Sequence, residues 1–207
     1  MSLQKAGSRV GLLGGTFDPI HPGHLHIAQI ALSQANLDWL YFIPAGQNPH
    51  KSERPIASLA HRQAMIARAI CKLEKIGLLN IQYPPSQPSY TIDTLRLLRA
   101  FLPQSELFWI IGADLLGNLH RWHKIEEIAE AVTFLVMSRP GAIRKQPSHS
   151  RGLRMQVLND RLIDISSTQI RIHLAQGRPL DHYLSASVID YIQRHHLYPI
   201  NRDATTH

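Results

Sequence analysis

A glycine pair followed by two histidines lies near the start of the chain, and together these residues could bind phosphate. Gly14 and Gly15 come directly after an apolar run at residues 10–13, and His21 and His24 stand where helical periodicity begins. A strand, a glycine-rich turn and a helix in that order bring free backbone N–H groups and the positive end of a helix dipole together, which favours an anion. This stretch is therefore predicted to hold a phosphate group.

The same histidines allow a second interpretation, as metal ligands. His21, His24 and His26 lie within six residues, and imidazoles bind zinc, although no cysteine or carboxylate stands at a fitting spacing nearby. The glycine pair is weak evidence by itself, because neither the G-x-G-x-x-G fingerprint nor the Lys-Ser/Thr of a P-loop is present. The pattern favours two imidazole donors for phosphate oxygens beside a helix N-terminus.

Strand and helix patterns alternate along the chain, which predicts an α/β fold with a Rossmann-like, doubly wound parallel sheet. Strand patterns occupy residues 9–13, 39–43, 80–83, 106–111, 132–137 and 162–165. The first helical pattern follows the first strand and runs to about residue 35, and the second covers 58–75. The third begins at 91, with Phe101 on its apolar face, and a short one follows residue 114. The fifth begins at 166, and the last covers 184–195. Ser89 or Thr91 could cap the third helix, and Ser166 and Gln169 have capping-box spacing.

Length and composition indicate one globular domain, since the chain has 207 residues with 44% hydrophobic and 18% charged. It is expected over residues 1–200, with a C-terminal helical part at about 166–200 and a disordered tail at 201–207. No apolar run is long enough for a membrane span, and the N-terminus lacks a signal-peptide core. The one cysteine, Cys71, is expected to pack as a small apolar residue. These features predict a cytoplasmic protein.

The formal net charge of +7 is concentrated in one segment, because residues 138–161 hold six basic residues and one acidic residue. Such a segment could contact nucleic acid, a polyphosphate ligand or only water. No RNA-binding or helix-turn-helix signature accompanies it. The expected partners are therefore small-molecule nucleotides, with no nucleic acid and no membrane, and the sequence does not distinguish a monomer from a homodimer.

Five motifs in order resemble the nucleotidyltransferase superfamily, whose H-x-G-H motif binds ATP. The first motif, Gly-Gly-Thr-Phe-Asp-Pro-Ile-His-Pro-Gly-His-Leu at residues 14–25, is similar to that signature. The second motif, Ile-Ser-Ser-Thr-Gln-Ile-Arg at residues 165–171, resembles the I-S-S-T-x-I-R signature. Residues 88–91, residues 110–114 and Trp122 make the chain most similar to the bacterial nicotinate-nucleotide adenylyltransferases. The matching positions extend from about residue 8 to residue 199.

The resemblance implies an enzyme of NAD biosynthesis that converts ATP and nicotinate mononucleotide into deamido-NAD and pyrophosphate. The nucleophile would be a substrate phosphate, which is already an anion, so no activated serine or cysteine and no general base are required. The protein has to align two anionic reactants and stabilise the charge that develops on the phosphates. Mg²⁺ is the expected cofactor, carried by the ATP phosphates without protein ligands.

The resemblance also assigns roles to residues, with His24, His21 and Arg171 expected to be catalytic and His24 the foremost of them. The expected ATP-binding residues are Gly14, Gly15, Thr16, Phe17, His21, His24, Gly112, Asp114, Ser138, Arg139, Ser166, Ser167, Thr168 and Arg171. The expected residues for nicotinate mononucleotide are Thr16, Lys51, Ser89, Tyr90, Thr91, Asp114 and Trp122. Asp114 is also open to interpretation as a helix N-cap, and Trp122 as a core residue.

In the nicotinate site, the resemblance implies that Trp122 stacks on the pyridine ring. Backbone N–H groups at the helix start near Thr91 would bind the ring carboxylate and would disfavour an amide in its place. Lys51 follows Asn-Pro-His, where the family often has Pro-Pro-His, and resembles a basic residue on the family's mobile loop. The alternatives are a relative acting on pantetheine phosphate or on nicotinamide mononucleotide, and a hydrolase, for which the necessary paired carboxylates are missing.

Overall fold

The strands form one parallel sheet in the computed structural model, which describes residues 7–46, 54–81, 89–138, 152–161 and 163–198. They are β1 (Arg9–Gly15), β2 (Trp39–Pro44), β3 (Ile76–Leu78), β4 (Glu106–Gly112), β5 (Thr133–Ser138) and β6 (Met155–Asn159). Their order is β3-β2-β1-β4-β5-β6, and every neighbouring pair is parallel. This is the order of a doubly wound sheet, so the predicted Rossmann-like α/β class is confirmed.

Helices cover both faces of this sheet. Within the described ranges they are α1 (Pro22–Gln34), α2 (Leu59–Ile70), α3 (Thr91–Phe101), a 3-10 helix (Ala113–Arg121), α4 (Ile125–Ala131), α5 (Ser167–Ala175) and α6 (Ala186–Arg194). One core contains Leu13 together with residues of α1, α2, α5 and α6, and the other contains Val10 and Leu12 together with residues of α3, the 3-10 helix and α4. Because successive side chains of β1 point to opposite faces, both of its faces are buried, as expected for a central parallel strand.

The third strand and the helix before it differ from the prediction. Helix α2 ends at Ile70 rather than near residue 75, and β3 begins at Ile76 instead of residue 80. Ile76 fits the helical period of α2, but in the structure it pairs with Leu40 of β2. Lys75, just before it, has a left-handed φ of 60°, which a right-handed helix cannot contain, so the helix ends earlier. Cys71 is exposed, so its predicted packing in the core is wrong.

The last strand also differs from the prediction. Strand β6 lies at Met155–Asn159, inside the segment predicted as a basic loop, whereas the described residues 163–165 are not in the sheet. An edge strand needs little apolar sequence, and in β6 only Leu158 is fully buried. Arg154, just before the strand, donates to the carbonyl of Glu130 at 2.8 Å. Of the basic residues in the predicted loop, Arg154 therefore stabilises the C-terminal end of α4. This helix was not predicted from the sequence.

Capping was predicted correctly at one helix and incorrectly at another. Ser166 caps α5, since its Oγ accepts from the N–H of Gln169 at 3.2 Å and its own N–H donates to the Gln169 side chain at 2.9 Å. Helix α3 begins instead after Tyr90, without a side-chain cap, and Phe101 at its other end is 68% exposed rather than buried. The expected tail at 201–207 lies outside the described residues. No described helix is long and apolar enough to cross a membrane.

Candidate active site

The first motif lies at the carboxyl end of β1, where the strand order reverses. The connections from β1 and β4 leave the sheet in opposite directions, and doubly wound sheets bind their ligands in the crevice that results. A β-carbon on Gly14 would lie 2.8 Å from Cζ2 of Trp109 on β4, so a glycine is needed for this close approach. Phe17 then takes a left-handed φ of 51° and turns the chain towards α1.

His21 and His24 stack at the N-terminus of α1. Their ring centroids are 3.7 Å apart, and the backbone N–H of His21 donates to Nδ1 of His24 at 3.3 Å. Because Nδ1 accepts a hydrogen bond, the neutral ring of His24 carries its proton on Nε2. The edge of Phe17 packs on the same ring with a centroid distance of 4.9 Å. The local fold therefore fixes both the orientation and the tautomer of His24 as a donor through Nε2.

His21 is buried, with 7% of its surface exposed. Burial lowers the pKa of His21 to about 4, so its ring is neutral at pH 7 and acts there through hydrogen bonds rather than charge. Its Nδ1 has no partner among the described residues and lies 3.0 Å from the position of a β-carbon on Gly23. His26, in contrast, hydrogen-bonds through Nε2 to the carbonyl of Arg161 at 3.1 Å. Among the described residues, no three metal-ligating side chains gather in one place.

The second motif meets the first at the N-terminus of α5. Ser167 Oγ donates to the carbonyl of Pro19 at 2.9 Å, and Arg171 donates to the carbonyl of Asp18 at 2.8 Å. A further bond of 3.3 Å joins Arg171 to Oγ1 of Thr168. Helix α5 is thus hydrogen-bonded to the turn at residues 18–19 that leads into α1. The N-terminus of a helix presents free N–H groups that suit an anion.

A buried carboxylate behind the first motif was not anticipated from the sequence. Asp18, which is 3% exposed, accepts from the N–H groups of Ile56 at 2.8 Å and Ala57 at 3.1 Å. The hydroxyl of Tyr198 donates to the same carboxylate at 2.5 Å, across 180 positions of the sequence. Burial, followed by the bond to Asp18, raises the pKa of Tyr198. The carboxylate therefore links the first motif to the chain before α2 and to the chain beyond α6.

A buried guanidinium completes this linkage. Arg62 is 2% exposed and donates to the carbonyls of Thr16 and Ala45 at 2.8 Å and of Ala57 at 3.1 Å. Burial lowers its pKa, and the charge of Asp18 partly opposes that effect. The sequence did contain a signal for this role. Arg62 is a charged residue on the apolar stripe of α2, three positions before the buried Met65.

A cavity beside the first motif brings together most of the residues expected to bind the nicotinate nucleotide. Ser89, Tyr90, Thr91 and Trp122 all line it, next to Gly14 and Gly15. Trp122 is half-buried and also packs edge-on against Phe134 with a centroid distance of 6.3 Å, so it contributes to the core as well as to the cavity. Trp109 and His123 line the same cavity and were not singled out from the sequence.

The remaining expected residues lie at the same edge of the sheet or outside the described ranges. Gly112 ends β4 beside Met137 of β5, and Ser138 ends β5. The carboxylate of Asp114 folds back over Gly112, which has no side chain to obstruct it. Gly112, not Asp114, is the N-cap of the 3-10 helix, so the N-cap interpretation of Asp114 is wrong. Lys51 and Arg139 lie outside the described residues.

Known proteins resemble the chain over most of its length. The Cytidylyltransferase-like family model matches residues 12–172. A "Probable nicotinate-nucleotide adenylyltransferase" of Bacillus pumilus is 39% identical over 190 residues, which cover 92% of this chain and 98% of the relative. A protein of the same name from Halalkalibacterium halodurans is 40% identical over 194 residues, covering 93% of this chain and 92% of the relative.

The fold has solved counterparts as well. The nicotinic acid mononucleotide adenylyltransferase of Plasmodium falciparum, solved in complex with NaAD, superposes with a TM-score of 0.76 at 21% identity. The superposition covers 94% of this chain and 98% of that one. At this identity the likeness concerns the fold alone.

Proposed function

The chain belongs to the cytidylyltransferase-like family and, within it, to the nicotinate-nucleotide adenylyltransferases, and from that membership we propose its reaction. It is a nucleotidyltransferase that transfers the adenylyl group of ATP to nicotinate mononucleotide, giving deamido-NAD and pyrophosphate in NAD biosynthesis. One structural observation carries the proposal, namely that Ser167 and Arg171 of α5 are hydrogen-bonded to the carbonyls of Pro19 and Asp18, in the turn that leads into α1. A triphosphate is the ligand class that suits the N-termini of these two helices and a guanidinium.

The chemistry requires donors rather than a base. A phosphate oxygen of nicotinate mononucleotide attacks the α-phosphorus of ATP, and the bond from that phosphorus to the bridging oxygen breaks, so that pyrophosphate leaves with the electron pair. No proton has to be removed from the nucleophile. In the proposed site His24 donates through Nε2 to a phosphate oxygen, and Arg171 adds a fixed positive charge. His21 contributes as a neutral hydrogen-bonding ring.

We further propose that Mg²⁺ reaches the site on the phosphates of ATP. The first and second motifs hold imidazoles, a guanidinium and N–H donors, which suit phosphate oxygens rather than a hard cation. The carboxylate of Asp18 is buried and already accepts from Ile56, Ala57 and Tyr198. Phosphate oxygens are the ligands that Mg²⁺ prefers, and the ion neutralises charge on the leaving pyrophosphate. Chelation of Mg²⁺ should therefore abolish turnover, and added Mg²⁺ should restore it. A cytoplasmic location remains part of the proposal, since an exposed free thiol at Cys71 suits a reducing compartment.

The cavity beside the first motif is proposed to hold the nicotinate nucleotide. Trp122 presents an aromatic ring for stacking, and the N–H groups at the start of α3, beyond Tyr90, suit the ring carboxylate. The adenylyl side is proposed to lie along Gly112, Asp114, Ser138 and the second motif, at the carboxyl ends of β4 and β5.

The decisive experiment is pyrophosphate release from ATP in the presence of nicotinate mononucleotide, nicotinamide mononucleotide or pantetheine phosphate. We expect release with the acid, much less with the amide and none with pantetheine phosphate. Absence of release with nicotinate mononucleotide, from a protein with a cooperative thermal transition, would overturn the proposal. Release with nicotinate and nicotinamide mononucleotides at equal rates would overturn only the preference for the acid.

A further inference from the structure

Only one side chain lining the cavity beside the first motif, among those described, can become a cation. The lining consists of glycines, aliphatic and aromatic residues, the hydroxyls of Ser89, Tyr90, Thr91 and Thr94, and the imidazole of His123. Lysine, arginine and both acidic residue types are missing from this described lining. Within the described part of this lining, His123 is therefore the one side chain that could offer a full positive charge to an anionic group of the ligand.

His123 stands at the mouth of the cavity. It follows Trp122 directly after the 3-10 helix, its side chain is exposed, and its ring lies 4.7 Å from that of Tyr90, with 42° between the planes. Tyr90 is the N-cap residue of α3, and the N–H groups of that helix start beside it. The imidazole therefore contacts the side chain of the residue that precedes the helix proposed to receive the ring carboxylate.

The two mononucleotides differ only in a carboxylate against a carboxamide of nearly the same shape. Hydroxyl groups can both donate and accept, so the serine, threonine and tyrosine hydroxyls of the lining can satisfy either substituent. A protonated imidazole donates from both nitrogens and attracts a carboxylate more strongly than the carbonyl oxygen of a neutral carboxamide. Because charge is the main difference between the substrates, a side chain that can carry charge can add to the discrimination that backbone N–H groups provide.

We propose that His123 is a specificity-determining residue, whose imidazole contacts the nicotinate carboxylate and, when it carries a proton on both nitrogens, favours the acid over the amide. The inference rests on the proposed function, because it assumes that the cavity receives the pyridine ring. It adds a side-chain charge to the backbone N–H groups of α3 and does not replace them.

The test measures the ratio of kcat/KM for nicotinate mononucleotide to that for nicotinamide mononucleotide in a series of variants. Both substrates carry the same 5′-phosphate, so damage to folding or to phosphate binding cancels in the ratio. His123→Gln should lower the ratio about fivefold, since an exposed charge pair is worth little more. His123→Arg should retain or raise it, and His123→Glu should lower it further than the glutamine variant does.

The matched control is His120→Gln, which removes an exposed imidazole three positions earlier in the 3-10 helix and should leave the ratio unchanged. Equilibrium binding of each mononucleotide, followed by quenching of tryptophan fluorescence, gives the same comparison without turnover. If nicotinate mononucleotide binds but no pyrophosphate is released, the proposed function fails while the inference is still tested. An unchanged ratio in His123→Gln, or a preference for the acid in His123→Glu equal to that of the wild type, would overturn the inference.

Discussion

Burial of His21 predicts that the protein loses stability in mild acid. In the unfolded chain a histidine titrates near pH 6.5, whereas the folded environment lowers the pKa of His21 to about 4. Between these two values the unfolded state binds a proton that the folded state does not, so falling pH favours unfolding. The group is neutral in both states above pH 7 and contributes no penalty there.

The size of the effect follows from the two pKa values. A difference of one in pKa is worth about 1.4 kcal/mol. The difference of about 2.5 for His21 therefore lowers the free energy of unfolding by about 3 kcal/mol once the pH is below 4. At pH 5 about 2 kcal/mol of that loss should already be present. This is a large part of the stability of an ordinary domain.

Urea unfolding followed by tryptophan fluorescence at pH 7.5, 6 and 5 measures this loss. Carboxylates also titrate over this pH range, but they do so equally in the wild type and in His21→Asn. The difference between these two proteins therefore isolates the effect of the imidazole. We expect the wild type to lose about 2 kcal/mol more than His21→Asn between pH 7.5 and pH 5. Ile20→Val is the control, since it lowers the stability by about 1 kcal/mol at every pH and keeps the imidazole. Equal losses in wild type and His21→Asn would refute the reasoning.

Three further predictions concern the site and its support. His24→Ala should lower kcat about 10²- to 10³-fold with an unchanged fold, because it removes a donor to the phosphates; full turnover would show that His24 does not contact them. Trp122→Ala should raise KM for nicotinate mononucleotide more than KM for ATP, and the reverse order would contradict the stacking role. Tyr198→Phe should lower Tm by about 3–6 °C through loss of the bond to Asp18. Tyr183 packs its ring against His173, and its hydroxyl has no hydrogen bond within the described part of the chain, so Tyr183→Phe should not lower Tm, and equal shifts would contradict that account.

The central part of the fold could be predicted from sequence because its signals are local. The strands β1, β2, β4 and β5 are continuous apolar runs, since both faces of a central parallel strand are buried. The capping box at Ser166 is likewise contained within four residues. The short strands β3 and β6 escaped prediction because their neighbours in the sheet, rather than their own residue patterns, hold them extended.

The residues of the candidate site also differ in whether a local sequence pattern reveals them. The two motifs were identifiable because each is a short run of characteristic residues. The hydrogen bonds from Ser167 and Arg171 to the first motif were not predicted, because neither run indicates them. Asp18 and Tyr198 were missed because they lie far apart in the sequence, so no local pattern joins them. Arg62 was missed although its position among the buried residues of α2 gave a local signal. His123 became visible only when the structure showed which side chains share a cavity with Trp122.

The bond between Asp18 and Tyr198 joins a residue synthesised early in translation to one synthesised late. During translation the first motif emerges early, and α5 supplies the second motif well before Tyr198 is synthesised. A nascent chain that ends after α5 therefore contains both phosphate-binding motifs but leaves the carboxylate of Asp18 without the hydroxyl that satisfies it. A chain interrupted after α5 thus carries both signatures but lacks the hydroxyl of Tyr198 and the residues of α6 that belong to the core around Leu13.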